Sequence, residues 1–308
     1  MITFYKNNNG LFQTEKKEKN YWTNVVCPTQ EETHYLLKKL QIPEAFYNDI
    51  EDIDERPRIE IENGWCLIII RIPFKSNDEK LPFNTAPLGL IFKEDTFVSL
   101  SFQQTDILSS FVDYTQRKKI LIHNNFDLVL KLLLSSSVWF QKYLKQINQS
   151  IKFAEQNLEK SIKNEELQAL LQIEKCLVFF ITSLKGNDIL FHRIRNLKAH
   201  KDTFDLDLLE DVEIELRQAE ETTNIYSNIL AGMMDAYASV ISNNLNIIMK
   251  KLTSISIILM IPTLVASLYG MNVPNNLQEN KNGFLIIIII SILISILGVF
   301  FFKKKNMF

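Results

Sequence analysis

The spacing of apolar and polar positions divides the chain into three regions. Up to about Gln103 the apolar residues come in short runs rich in β-branched and aromatic types: Tyr21–Val26, Arg58–Glu62, Trp65–Ile72, Leu88–Phe92 and Thr96–Phe102. Each run has the length and composition of a strand. Asn63-Gly64, between the second and third, signals a tight hairpin turn. Two short helices are interleaved. Thr29 is placed to cap one, with Glu32 completing a capping box, and Pro43 suits the first turn of the other. Residues 1–125 therefore read as an α/β domain. From Phe126 the apolar period changes to steps of three and four, as in Leu158, Ile162, Leu167, Leu170 and Leu171. Phe126–Lys163 and Glu165–Ala199 are predicted as long amphipathic helices, an antiparallel pair over 126–205 with a break near Lys163-Asn164. From Leu206 a further helix runs without a stop signal through 206–251 and into an uncharged stretch, Leu252–Leu268. A second uncharged stretch, Gly283–Phe302, has about 20 residues, enough for about 30 Å of helix and hence for a bilayer core. The prediction is a stalk at 206–251, spans at 252–268 and 283–302, a loop at 269–282 and a basic tail at 303–308.

Charge sets the orientation. Lys250 and Lys251 precede the first span and Lys303, Lys304 and Lys305 follow the second, whereas the loop between them has only Glu279 and Lys281. Positive flanks stay inside, so both termini are expected in the cytosol and the loop outside, in the plasma membrane. Met1 to Lys19 has no apolar run of the kind a signal peptide needs. Elsewhere charge is nearly balanced, 34 Lys and Arg against 36 Asp and Glu, with no basic surplus for nucleic acid. Cys27, Cys66 and Cys176 are scattered and form neither a disulfide framework nor a metal-binding pair. The four histidines (34, 123, 192 and 200) form no HExxH cluster, and no GxxxxGK[ST] phosphate cradle for ATP exists among 8 glycines. Neither enzyme chemistry nor ATP-driven pumping is indicated.

The first predicted span carries a polar stripe. Asn246, Met249, Thr253, Ser256, Met260, Thr263 and Ser267 recur at alternating steps of three and four, a seam of about 3.5 residues per turn. Hydroxyl, amide and thioether groups at membrane depth face other helices or water rather than acyl chains. Two spans in one chain cannot enclose a pore, so a pore built on this seam requires several copies around an axis. Pro262 lies within the span, where a helix bundle tolerates it.

The stretch from Asn246 through Met260-Ile-Pro-Thr263 to Tyr269-Gly270-Met271-Asn272 resembles the CorA family of magnesium channels. The Gly-Met-Asn triplet directly after the penultimate span, with a second span and a Lys-rich end behind it, is that family's signature. The resemblance extends to Asp211-Val212, Asp235-Ala-Tyr237 and Asp54-Glu55-Arg56-Pro57-Arg58-Ile59-Glu60, and so covers nearly the whole chain. It implies a funnel-shaped homopentamer: an N-terminal cytoplasmic α/β domain, then a long helical stalk, then two transmembrane helices, the first lining the pore. It implies ion selectivity at Gly270, Met271 and Asn272, with pore positions at Asn246, Met249, Leu252, Ser256, Met260 and Thr263. Ser256 departs from the more apolar residue expected at its ring. Asp211 aligns with an acid of a regulatory cytoplasmic metal site between subunits. Asp78 is its nearest partner acid, although by simple register Ser76 falls there. Asp235, eleven residues before Asn246, shares the pore-side face.

Mg²⁺ would be the transported and regulatory ion, with no other cofactor. It keeps its waters reluctantly exchanged, and a ring of neutral Asn272 carboxamides can accept hydrogen bonds from those waters without stripping them. Met271 suits packing better than coordination of a hard cation. Met249, Leu252 and Met260 suit dewetting constrictions. Co²⁺ and Ni²⁺ are further candidate ions. Two other readings stay open at this point: a Zn²⁺ transporter of the same superfamily, and a membrane-anchored coiled-coil scaffold.

Overall fold

The computed structural model describes residues 1–15, 21–78, 81–160, 164–197, 205–271 and 282–304. It falls into two units, Met1–Ala231 and Gly232–Phe308.

The first unit is built on a seven-stranded sheet: β1 (Ile2–Asn7), β2 (Leu11–Thr14), β3 (Tyr21–Val26), β4 (Arg58–Glu62), β5 (Trp65–Lys75), β6 (Phe83–Lys93) and β7 (Thr96–Ser101). Their spatial order is β2-β1-β3-β7-β6-β5-β4. Only β3 and β7 pair in parallel; the other neighbours are antiparallel. Helices cover both faces, which is why β5 reads as the nearly unbroken apolar run Trp-Cys-Leu-Ile-Ile-Ile and is buried up to Phe74. On one face α1 (Gln30–His34), a π-helical turn over Tyr35–Lys39 and α2 (Glu44–Glu51) enclose a core of Leu36, Phe46 and Ile50 against Leu67, Ile69, Ile91 and Val98. A Cβ on Gly89 would lie 2.1 Å from the Ile50 Cδ1, so only glycine lets α2 sit this close to β6. On the other face lie α3 (Asp106–Lys118), α4 (Asn125–Lys160) and α5 (Asn164–Arg195), with α4 and α5 packed on each other and on β5 and β6.

The five strands expected from sequence form, and two of them are longer. Pro73, Pro82 and Pro87 cut the apolar runs short, yet Pro73 pairs with Thr85 and Pro87 with Arg71 inside the β5–β6 ladder. Both prolines fall where β5 and β6 have only each other, since β4 pairs β5 only up to Ile69 and β7 pairs β6 only from Gly89. A missing N–H is tolerated at such local edges. The Thr29–Glu32 capping box is present, and Asn63 and Gly64 both take positive φ, 51° and 79°, in the β4–β5 turn. Pro43 stands at the N-cap of α2 rather than inside its first turn. Strands β1 and β2 and helix α3 have no counterpart in the sequence reading. The short, weakly apolar β1 is held by pairing along β3, a long-range contact that periodicity does not reveal. Helix α4 ends at Lys160 and α5 begins at Asn164; Lys163, where a break is expected, lies outside the described residues.

Helix α6 (Leu206–Tyr269) begins in the first unit and supplies the second, together with α7 (Gly283–Lys304). Within the second unit α7 packs on α6 with Gly298 against Ile258 and Ile261. Ser254 and Ser291 are buried there, as expected where small residues let apolar helices approach. By length and composition α5, α6 and α7 are all apolar enough to cross a membrane. The inner side of α5 is already occupied: Leu170, Ile173, Leu177, Phe180, Leu184 and Phe191 are buried in the packing on β5, β6 and α4.

Candidate ion pathway

The expected pore positions lie on one continuous helix. Asn246, Met249, Leu252, Ser256, Met260 and Thr263 all belong to α6. A helix advances about 100° per residue. Ser254, Ile258, Ile261 and Val265, buried or half-buried, therefore form one line, on which Ile258 and Ile261 meet Gly298 of α7. The stripe Met249, Ser256, Met260, Thr263 and Ser267 falls on the opposite side. Apart from half-buried Ser256 it is left uncovered: Met249 and Met260 are 52% and 66% exposed, and the neighbouring Leu252 57%. One subunit thus presents an apolar line to its own second helix and a polar seam away from it.

The seam hydroxyls are satisfied without leaving the helix. Ser256 Oγ donates to the Leu252 carbonyl at 2.9 Å and Thr263 Oγ1 to the Leu259 carbonyl at 3.1 Å. Such back-bonding lets a hydroxyl sit at membrane depth while its oxygen lone pairs stay on the open face to accept from water. Pro262 removes one ladder hydrogen bond, from the Ile258 carbonyl.

The seam continues below Asn246. Asp235, Ser242, Met249, Ser256, Thr263 and Gly270 recur every seven residues, with Ser239, Asn246, Thr253, Met260 and Ser267 between them. All are exposed except half-buried Ser256. Ser239 and Ser242 are not among the positions expected from sequence, although the seven-residue step linking Asp235 to Met249 marks Ser242. Ser239 Oγ donates to the Asp235 carbonyl at 3.0 Å.

At the far end Gly270 donates its N–H to the Ala266 carbonyl at 2.9 Å, closing the last turn. Its φ is not positive, and a Cβ would stand 3.2 Å from that carbonyl oxygen, a tight contact. Met271 is 54% exposed. Asn272 lies outside the described residues, as does most of the 269–282 loop, and so do Lys305 and the end of the basic tail.

Asp211 is exposed on α6 in the first unit, and Asp78 is exposed in the β5–β6 connection, where its N–H donates to Ser76 Oγ at 3.0 Å. Among the described residues no group of three or more His, Cys, Asp and Glu is arranged to hold a metal ion within the chain.

The chain is similar to proteins of known structure and sequence. The solved structure of the complete CorA magnesium transporter from Methanocaldococcus jannaschii superposes with a TM-score of 0.84 at 21% identity, covering 99% of this chain and 98% of that one. In sequence the chain is 24% identical over 290 residues to the cobalt/magnesium transport protein CorA of Methanocaldococcus jannaschii, spanning 92% of this chain and 90% of that protein. It is 25% identical over 304 residues to the magnesium transport protein CorA of Helicobacter pylori, with the same two coverages, 92% and 90%. Residues 17–304 match the family described as CorA-like Mg2+ transporter protein. The exposed seam on α6, the paired apolar helices and this match over most of the chain agree: the protein is a member of the CorA-like Mg²⁺ transporter family.

Proposed function

We propose that the chain is one subunit of a homopentameric channel that admits hydrated Mg²⁺, and Co²⁺ or Ni²⁺ less readily, across the plasma membrane. The observation that carries this reading is the polar seam of α6, exposed on the side opposite α7. Several copies placing their seams around one axis enclose a hydroxyl- and amide-lined path, with α7 as an outer ring. Below the uncharged stretch, Val240, Ile241, Leu245, Ile247 and Ile248 are also exposed in the single chain. A row of this kind needs cover from further copies. A membrane-anchored scaffold would share the apolar helices but has no use for a solvated seam at membrane depth. The intact Gly270-Met271-Asn272 triplet favours Mg²⁺ over Zn²⁺.

On this reading α6 and α7 are the two spans, and α5 stays with the sheet. The membrane potential drives uptake: a doubly charged ion gains about 4.6 kcal/mol per 100 mV, twice the single-charge value. Purified protein in liposomes with an imposed potential should pass Mg²⁺ most readily among Mg²⁺, Co²⁺ and Zn²⁺. No flux of any of them, from intact oligomers, would refute the channel.

Two consequences are testable at once. Tags at Met1 and at Phe308 should both be inaccessible from outside intact cells, as the Lys flanks require; labelling of either from outside would overturn the topology. Asp211, exposed on α6, is the proposed sensor of internal Mg²⁺ at a site completed by a neighbouring copy. Carboxylates brought together there repel unless a cation sits between them, so Mg²⁺ favours the closed state and shifts the population toward it. Asp211→Asn should then need about tenfold more internal Mg²⁺ for the same inhibition, which is about 1.4 kcal/mol of coupling. Currents recorded while internal Mg²⁺ is raised decide it, and superimposable inhibition curves rule Asp211 out.

A further inference from the structure

Four lysines gather at one end of the α6–α7 pair. Lys250 and Lys251 lead into the uncharged stretch of α6, and Lys303 and Lys304 end α7. The packing that sets Gly298 against Ile258 and Ile261 carries the end of α7 back toward Lys250, so the four lie at the same edge. All are exposed. Among the described residues none forms an ion pair, and within the described part of Gly232–Phe308 the one carboxylate is Asp235. It stands fifteen residues before Lys250, about 22 Å along a helix, too distant to neutralise the group in salt.

Their placement around α6 also has a direction. At about 100° per residue, Lys250 and Lys251 fall on either side of the line through Ser254, Ile258 and Ile261. They are on the flank of α6 turned to α7, and the polar seam is on the other. The positive charge is therefore carried where acyl chains end and headgroups begin, not along the path for cations.

We propose that Lys250, Lys251, Lys303 and Lys304 form a binding patch for anionic phospholipid headgroups in the adjoining leaflet, and that a bound lipid clamps the end of α7 to α6. The inference rests on reading α6 and α7 as membrane spans. A lysine is a flexible point charge that reaches a phosphate without needing bidentate geometry, and its stem lies along apolar helix while the ammonium reaches the headgroup level. Zwitterionic headgroups carry a phosphate too, but their own ammonium group competes for it. A free phosphate ester lacks the acyl chains that hold the lipid phosphate at the depth of the patch. The lipid is thus the occupant that both the charge and the position select.

The test uses the full-length protein. In detergent, lipid binding is measured by native mass spectrometry with phosphatidylglycerol, phosphatidylcholine and soluble glycerol phosphate. Each lysine near an anionic surface contributes roughly fivefold to binding. Wild type should accordingly prefer phosphatidylglycerol over phosphatidylcholine by about tenfold or more. Replacing all four (K250Q, K251Q, K303Q and K304Q) should abolish the preference, and the four Lys→Arg changes should keep it. The milder pair K303Q and K304Q, which alters only the end of α7, should lower it part-way. Equal preference in wild type and the pair, or competition by glycerol phosphate as strong as by the lipid, would overturn the proposal. Mg²⁺ flux in liposomes with and without phosphatidylglycerol separates this from the channel reading. Flux that ignores the lipid while the preference is absent sinks the patch alone, whereas no flux in any liposome with the preference intact sinks the channel alone.

Discussion

Alanine at position 272 is expected to reduce Mg²⁺ uptake to less than about one-hundredth of wild type while the oligomer stays assembled. Helix α6 closes at Gly270, and Asn272 is two residues on, at the outer mouth of the proposed pore. Mg²⁺ gives up its waters slowly, so the mouth must recognise the hydrated ion. A carboxamide oxygen accepts hydrogen bonds from ion-polarised water, and such charge-assisted bonds contribute roughly 1.5–3 kcal/mol each. Losing the acceptor in every subunit removes several at once, and two lost bonds already account for about a hundredfold. Alanine removes the acceptor without adding bulk, so size-exclusion profiles should match wild type. Asn272→Asp keeps the acceptors and adds charge; it should retain flux and bind the ion more tightly. A dye-based flux assay in liposomes decides the matter, and undiminished Mg²⁺ flux through assembled Asn272→Ala protein would remove Asn272 from the mechanism.

The second large effect is on folding. Arg71→Ala should destabilise the first unit by about 2–4 kcal/mol, lowering its unfolding midpoint by about 10 °C. Arg71 is 8% exposed in the middle of β5. Its guanidinium donates to the carbonyls of Ile53, Glu55 and Thr85 at 2.5, 3.0 and 2.8 Å and to Thr85 Oγ1 at 2.8 Å. Burial pulls its pKa down, and the carboxylates of Asp54, Asp52 and Glu55 offset only part of that fall. Its main chain is held as well. Asn187 of α5 accepts from the Arg71 N–H and donates to its carbonyl, and Ser136 of α4 donates to the same carbonyl. Ser183 joins through Thr85. One residue thus ties two strands, two long helices and the 52–57 turn, which also meets α5 where Pro57 lies against Gly186. Alanine leaves the buried Thr85 carbonyl and the part-buried carbonyls of Ile53 and Glu55 without this donor, at roughly 1–3 kcal/mol for the buried one and less for the two that water can reach. Arg71→Lys keeps the charge but cannot reach both sides of the fork, so it should fall between. A midpoint within about 2 °C of wild type, which for a unit this size is less than about 1 kcal/mol, would show that water replaces the guanidinium at little cost.

Local chemistry determined much of this protein. The Thr29–Glu32 box, the Asn63-Gly64 turn, the start of α5 at Asn164 and the start of α6 at Leu206 all stand where short-range rules put them, because each depends only on residues a few positions apart. The two uncharged stretches and the 3.5-residue seam are legible for the same reason: one helix writes its faces into its own sequence. Tertiary contacts decided the rest. Strand β1 exists because β3 offers an open edge, and Pro73 and Pro87 stay inside strands because β4 and β7 end before reaching them. Arg71, which sequence alone marks only as a charge in an apolar run, acquires its role from carbonyls in the 52–57 turn and from Asn187, 116 residues away. That the seam of α6 faces away from α7 was likewise undetermined by periodicity. A helical pattern fixes which residues share a face, but only the packing of Gly298 on Ile258 and Ile261 settles which face is covered and which is left open.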